Sequence, residues 1–292
     1  MIDTLGLPII WDAPVISADT VILHNPAFLK HQSDFGGRIV ARDLIVVTHE
    51  NVLRPGGAAG FDITGCLDQI DRASLALHKR LAPVSAHNRQ GVVEWLAQNR
   101  GPWDVVEHDW FNIFDGEFSA PSPAPSDRRG RLSRPGFEKF PAIEILDKCF
   151  PPHAQANVIL GADMLINTQA ARPHWTLLPF GTTAVDGFFD MIDFMVYFTA
   201  PTWRESFGRV IAEGIAAGKV VLTDPQTAAP FGDGVVACAP DQVDDLIAGF
   251  VAAPKSYARQ VARGQDCLSR YSAANFKAQF AKIILTKERA VS

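Results

Sequence analysis

The stretch Glu205-Ser-Phe-Gly-Arg-Val-Ile-Ala-Glu213-Gly-Ile-Ala-Ala-Gly218-Lys-Val-Val-Leu-Thr223 constrains the fold more than any other part of the chain. A Ser-Phe-Gly turn opens a helix, Gly218 closes it, and an apolar, β-branched run follows at once. A helix leading straight into a buried strand is the repeating step of an α/β layer. The same stretch carries two carboxylates eight positions apart, one before the turn and one on the helix. A helix N-terminus presents unpaired amides and a partial positive charge, so it can hold a diphosphate. The carboxylate before the turn can accept hydrogen bonds from sugar hydroxyls, and the second can do the same for a ribose.

The rest of the chain repeats the alternation. Thr20–His24 and Leu44–Thr48 read as buried parallel-type strands. Ile63–Leu81 carries apolar residues at helical spacing, Leu81–Ser85 reads as a short strand, and Asn88–Asn99 as a helix ended by Pro102. Trp103-Asp-Val-Val-Glu107 reads as one more strand. Further on, Pro141–Lys148 is helical, and Ala156–Leu160, Thr176–Leu178, Met191–Phe198, Val220–Leu222 and Gly234–Ala237 are strand candidates. A helix spans about Phe207–Ala217, and Tyr271–Lys287 reads as a final amphipathic helix. No repeat at a fixed period is present. Strands alternating with helices in both halves predict two α/β, Rossmann-like domains with parallel sheets facing a cleft.

Ser119-Ala-Pro-Ser-Pro-Ala-Pro-Ser126 marks the clearest change in composition. Alternating proline favours extended, turn-rich backbone, which predicts a hinge or interdomain crossing. The expected domains are therefore 1–118, 119–270, and a C-terminal helix over 271–292. A chain of 292 residues accommodates two modest domains, and 47% apolar with 20% charged residues reads as soluble and globular. The formal charge of −5 argues against a general nucleic-acid surface, although Arg128, Arg129, Arg131 and Arg134 cluster locally. Cys66, Cys149, Cys238 and Cys267 are scattered, with neither metal-ligand nor disulfide spacing. The N-terminus lacks the pattern of a signal peptide, and no run approaches the roughly 18–20 apolar residues of a membrane span. A cytoplasmic location follows as an expectation, free or peripheral to the inner membrane face.

The Glu205–Thr223 stretch resembles the E-x7-E element of retaining GT-B glycosyltransferases, in particular the GT4-like group. Two further segments carry the resemblance. Asp193-Phe-Met-Val-Tyr-Phe-Thr-Ala-Pro-Thr-Trp-Arg-Glu205 looks like the strand and loop leading into that element. Gly130-Arg131-Leu-Ser-Arg134-Pro-Gly-Phe-Glu-Lys139-Phe-Pro141 resembles the family's basic Gly-Arg…Lys segment, which grips the donor diphosphate. The three stand in family order and cover most of the chain from about residue 118 to its end. The resemblance implies transfer of a sugar from a UDP- or GDP-sugar to an acceptor hydroxyl, on a carbohydrate or another molecule, with retention at the anomeric carbon. It implies that Arg131 and Lys139 neutralise the leaving diphosphate, with Gly130 beside them and Arg134 a further candidate. The amides of Ser206, Phe207 and Gly208 would add neutral donors, Glu205 would hold the sugar, and Glu213 the ribose. It implies no metal and no cofactor, and the chain has no Asp-x-Asp pair to hold a divalent ion.

The first half matches less closely. Val21-Ile-Leu-His24 and Val46-Val-Thr-His49 resemble the family's strand-end histidines, and Pro83–Arg89 the strand-to-helix segment that follows. His24 and His49 could hydrogen-bond sugar hydroxyls, or steady phosphate when protonated, although a strand-end histidine is also a common structural group. The family's first strands, with their glycine-rich turn, have no counterpart before Val21; Pro55-Gly-Gly-Ala-Ala-Gly60 stands at the wrong place in the order and reads as a loop over the cleft. Three readings stay open: a minimal acceptor domain, a fragment of a longer product, or a domain completed by a homo- or hetero-oligomeric partner. An alternative function is accordingly a non-catalytic glycosyltransferase-like subunit or binding module.

Overall fold

A computed structural model of the chain describes residues 5–31, 34–54, 60–168 and 170–285. Two compact units emerge: Met1–Ile113 with Tyr271–Ser292, and Phe114–Arg270. Of the glycine-rich run Pro55–Gly60 expected to cover a cleft, residues 55–59 lie outside the described residues.

The first unit is built on a wholly parallel four-stranded sheet in the order β1-β2-β3-β4. The strands are Val15–Leu23, Arg38–Thr48, Ser74–Pro83 and Trp103–Val105. Leu44 to Val47 are all fully buried because both faces of β2 are covered. Leu44 and Val46 pack with Leu67 and Ile70 of the Ile63–Ala73 helix and with Val92 of the Ala86–Gln98 helix. Ile45 and Val47 pack with Trp110 and with Phe276 of the Ala273–Leu285 helix. Trp110 meets Phe276 and Phe280 edge-on at 5.2 and 5.6 Å, so the last helix of the chain belongs to the core of this unit.

One expected element is corrected here. The helix read over Ile63–Leu81 ends at Ala73, and Ser74 begins β3 in extended backbone (φ −126°, ψ 138°). Leu75, Leu77 and Leu81 fit a helical stripe and a strand alternation equally well. The register Val40↔Leu75, Asp43↔His78, Val46↔Leu81 settles the competition, because pairing with β2 supplies ladder hydrogen bonds that no local signal encodes.

The second unit holds a six-stranded parallel sheet in the order β10-β9-β8-β5-β6-β7. Its strands, β5 to β10, are Arg128–Leu132, Ala156–Leu160, Thr176–Leu178, Phe194–Tyr197, Val220–Thr223 and Val236–Ala237. Ile159, Phe194, Val196, Val220 and Leu222 form a core with Leu146, Val243, Ile247 and Tyr257 from the covering helices. Strand β5 lies at the centre of the sheet, although arginine at three of its five positions hides it from a hydrophobic pattern. Those cations are neutralised or enclosed. Arg128 forms a bidentate pair with Asp193, itself fully buried, and Arg129 bonds Asp127, Asp244 and the Cys149 carbonyl.

The proline-rich run lies within the second unit rather than crossing between units. The Ser119 amide donates to the Ala216 carbonyl (2.8 Å), and Gln265 Nε2 donates to the Ser119 carbonyl (2.8 Å). Gly218, at φ +73°, permits this, since a Cβ there would stand 2.7 Å from the Ala120 carbonyl oxygen. Among the described residues, no helix is long and apolar enough to cross a membrane.

Candidate functional site

In a parallel sheet the loops that leave the carboxyl ends of neighbouring strands share one rim. β5 and β8 are neighbours (Gly130↔Met195), so the loop after β5 and the loop after β8 meet there. The first carries Lys139 on a short 3-10 turn, Phe137–Lys139, and the second carries Trp203 and Glu205. Lys139 Nζ stands 3.3 Å from Glu205 Oε1. Two neutral donors reach the same oxygen: the Tyr197 hydroxyl at 2.7 Å and Trp203 Nε1 at 3.1 Å. Lys139 also lies over the Trp203 ring, 5.1 Å from its centroid.

Burial by itself would raise the Glu205 pKa. The Lys139 charge and the hydrogen bonds from Tyr197, Trp203 and Lys139 outweigh it and hold the carboxyl below its ordinary value. Glu205 is therefore ionised at neutral pH and can only accept hydrogen bonds. Burial, then the adjacent Glu205 charge, push the Tyr197 phenol far up, so it stays a donor.

Arg131 lies beside the same cluster, enclosed rather than at its surface. It is fully buried, clamped between the rings of Phe140 (4.7 Å) and Tyr197 (4.5 Å). Nη1 donates to the Phe198 carbonyl at 2.8 Å and Nη2 to the Lys139 carbonyl, while Nε has no hydrogen-bond partner among the described residues. Desolvation lowers its pKa, and the rings of Tyr197 and Phe140 give the cation a partner that water would otherwise provide. Here its guanidinium ties the end of β8 to the Lys139 turn from beneath. Gly130 is likewise a packing position: a Cβ would fall 2.6 Å from Ile192 Cγ2 and 2.9 Å from Phe188 Cζ. Arg134 is exposed.

The helix of the Glu-rich element spans Arg209–Ala216. Gly208 is its N-cap, in left-handed backbone (φ 84°), and provides no side-chain cap for the first amides. The Phe207 side chain is buried against Phe231, so only its backbone can face a ligand. Glu213 is about one turn along and forms an ion pair with Arg209 at 3.0 Å. Ser206 lies in the turn between Glu205 and Gly208.

In the first unit, His24 and His49 follow the carboxyl ends of β1 and β2, with ring centroids 4.8 Å apart. Burial lowers the pKa of both; His49, also opposed by His24, falls to about 4. Both rings are therefore neutral at pH 7 as they stand, and would steady a phosphate only if its charge drew a proton onto them. His49 Nε2 is buried without a hydrogen-bond partner among the described residues. Asn88 braces this rim: its Oδ1 accepts from Thr48 Oγ1 (2.8 Å) and its Nδ2 donates to the Glu50 carbonyl (2.7 Å).

Three participants escaped sequence reading. Tyr197 was signalled only as the one residue of Phe-Met-Val-Tyr with a polar tip, Trp203 by standing two positions before Glu205, and Asn88 by no visible pattern. Among the described residues, no group of three or more His, Cys, Asp or Glu gathers to hold a metal ion.

No protein-family model matches the sequence, and no curated protein is similar to it in sequence. Solved structures are similar in shape. Anabaena HepE in complex with UDP and glucose superposes at a TM-score of 0.61 with 17% identity, over 89% of this chain and 80% of that one. The pneumococcal O-GlcNAc transferase GtfA in complex with UDP and GlcNAc gives 0.58 with 13% identity, over 90% and 60%. A UDP-forming trehalose-phosphate synthase from Burkholderia vietnamiensis gives 0.57 with 11% identity, over 89% and 78%. With two α/β units on parallel sheets and these structural neighbours, the chain has the GT-B glycosyltransferase fold.

Proposed function

We propose that the protein transfers a sugar from a nucleoside diphosphate donor, a UDP- or GDP-sugar, to an acceptor hydroxyl with retention of anomeric configuration. The observation that carries this is the rim of the second unit. There a lysine suited to a diphosphate stands beside an ionised glutamate suited to sugar hydroxyls, and both lead into a helix whose N-cap has no side chain. The neighbours crystallised with UDP, and with glucose or GlcNAc, support the same reading.

In the reaction the glycosyl–phosphate C–O bond breaks and its electron pair leaves with the diphosphate. The acceptor oxygen forms the new C–O bond, and its proton passes to the leaving phosphate. Negative charge grows on the diphosphate, where preorganised positive groups contribute most. Lys139 supplies that charge as a mobile ammonium, and the Ser206–Gly208 turn supplies amides. Glu205 holds sugar hydroxyls, and Glu213, released from Arg209, holds the ribose. Arg131 acts from below by fixing the Lys139 backbone. His24 and His49, as neutral groups, hydrogen-bond sugar or acceptor hydroxyls. The proposed division of labour is an acceptor domain over 1–118, a donor domain over 119–270, and a C-terminal helix returning to the first.

Heating the protein with UDP, GDP and their sugars tests this. A ligand that binds only the folded state raises Tm, by RT ln(1 + [L]/Kd) in free energy. A shift with one nucleoside diphosphate is expected. No shift at millimolar concentration of any of them rules the donor site out.

A second reading, a glycosyltransferase-like subunit that works with a partner chain, is favoured by β1. This nine-residue strand lies at the end of the sheet order, with β2 its only strand neighbour among the described residues. Gel filtration with light scattering, alongside turnover assays of the isolated chain, separates the two.

A further inference from the structure

Three donors converge on one oxygen of Glu205, and they are not equivalent. Lys139 is the longest contact, at 3.3 Å, and it brings a full charge on a flexible four-carbon stem. The contacts of the Tyr197 hydroxyl and the Trp203 indole are shorter, and both donors are neutral. Tyr197 is anchored through its ring, stacked on Arg131, and through its carbonyl, which accepts from Thr223 Oγ1 at 2.5 Å. Glu205 Oε2 takes no hydrogen bond from the described residues.

We propose that Tyr197 and Trp203 are positioning residues for the sugar end of the donor, holding Glu205 Oε1 so that Oε2 is presented to a sugar hydroxyl even after Lys139 has turned to the diphosphate. The inference rests on the function proposed above and adds residues to it. Its physical core is a competition. A diphosphate carries more negative charge than one carboxylate, so it draws the Lys139 ammonium away. A mostly buried carboxylate that loses its counter-charge either rotates, takes up a proton, or is kept ionised by other donors. A phenol whose pKa is pushed far up and an indole N–H are donors at every physiological pH. Besides Lys139, charged groups facing this cluster are Arg131, behind the Tyr197 ring, and Asp224, whose charge also keeps the phenol protonated. With Oε1 saturated, the carboxylate keeps one orientation and offers one acceptor, which selects a hydroxyl placed to donate to it. Trp203 has a second duty, because its ring face receives Lys139 while its edge serves Glu205.

The test compares two ligands across two variants. Calorimetric Kd values are measured for UDP and UDP-glucose, and for GDP and GDP-mannose, with the wild type, Tyr197→Phe and Trp203→Phe. Tyr197→Phe deletes the hydroxyl and keeps the ring that faces Arg131, while Trp203→Phe deletes the indole N–H and leaves Lys139 a smaller aromatic face, a change that the nucleoside diphosphate Kd registers separately. The expected result is a nucleoside diphosphate Kd within about twofold of wild type and a nucleotide-sugar Kd raised about tenfold, the size of losing a hydrogen bond to a charged group. A merely structural role would weaken both ligands together. Equal weakening, or no change in nucleotide-sugar affinity in folded variants, overturns the proposal. Should Tyr197→Phe melt early because it is buried, Trp203→Phe, in the loop after β8, carries the same comparison. Wild-type protein that binds no nucleotide and no nucleotide-sugar overturns the functional reading itself, a different result from a wild type that binds both and variants that fail to discriminate.

Discussion

At the scale of single residues the site is a set of charges whose states are decided by neighbours. Lys139 is the cation paired with Glu205 at this rim, partly buried and carried on a flexible stem, so Lys139→Ala is expected to lower kcat/KM by about 10²–10³, the usual cost of removing one preorganised donor. Tm should barely change, and steady-state kinetics beside a thermal melt checks both. Glu205 leads to a prediction in pH. Its folded pKa lies below the unfolded one, so its ionised form stabilises the fold above the ordinary carboxylate range, and that contribution is lost as pH falls through the folded value. Glu205→Gln should therefore cost about 1–3 kcal/mol at pH 7 and progressively less on acidification, as measured by urea unfolding across the range. His49 has the same sign for a different reason. Its neutral form is favoured by burial, so the unfolded chain binds the extra proton, and stability falls from pH 6.5 down to about 4. A His49 ring that titrates by NMR near 6.5 in the folded protein would contradict this. The two carboxylates stood out by residue type and spacing, and the lysine through the resemblance of its segment. The burial of Arg131 was not, because an arginine reads the same on a surface and in a core until the rings that enclose it are placed.

At the scale of elements, two glycines show how closely the site depends on packing. Gly208 takes φ 84° at the mouth of the Arg209–Ala216 helix, with Ile211 and Phe231 3.3 and 3.4 Å from the position of a Cβ. Gly208→Ala is expected to cost about 1–2 kcal/mol through left-handed strain. Gly130 sits in β5 under Ile192 and Phe188, and Gly130→Ala is expected to cost about 1–3 kcal/mol through overpacking. Denaturant midpoints measure both, and a neutral Gly130→Ala would show that the Phe188–Ile192 segment yields readily to an added methyl. The Arg209 helix and β9 were readable because a turn, a glycine stop and a β-branched run mark their ends. β3 and β5 were not, for opposite reasons: β3 continues a helical stripe without a breaker, and β5 is filled with arginines whose partners, Asp127, Asp193 and Asp244, are distant or ambiguous in sequence.

At the scale of the whole molecule, the first sheet ends on β1, whose one strand neighbour among the described residues is β2. β1 runs Val15–Leu23 with Asp19 its only charge and no proline, so it lacks the usual guards of a sheet edge. Val15, Leu75 and Leu77 are also exposed on this unit, at 60%, 74% and 78%. Concentration-dependent self-association is expected, and Ser17→Lys, an exposed position on β1, should reduce it without lowering Tm. Light scattering that shows one mass at all concentrations would refute this. Apolar periodicity, glycine stops and the Glu205–Glu213 spacing are local signals, and they sufficed for the α/β class and for the acidic helix mouth. Strand order, register and the enclosure of Arg131 were settled by folding alone, since each depends on which distant segments share a sheet. The meeting of Lys139 with Glu205 follows from β5 and β8 becoming neighbours, and no window of sequence contains both strands.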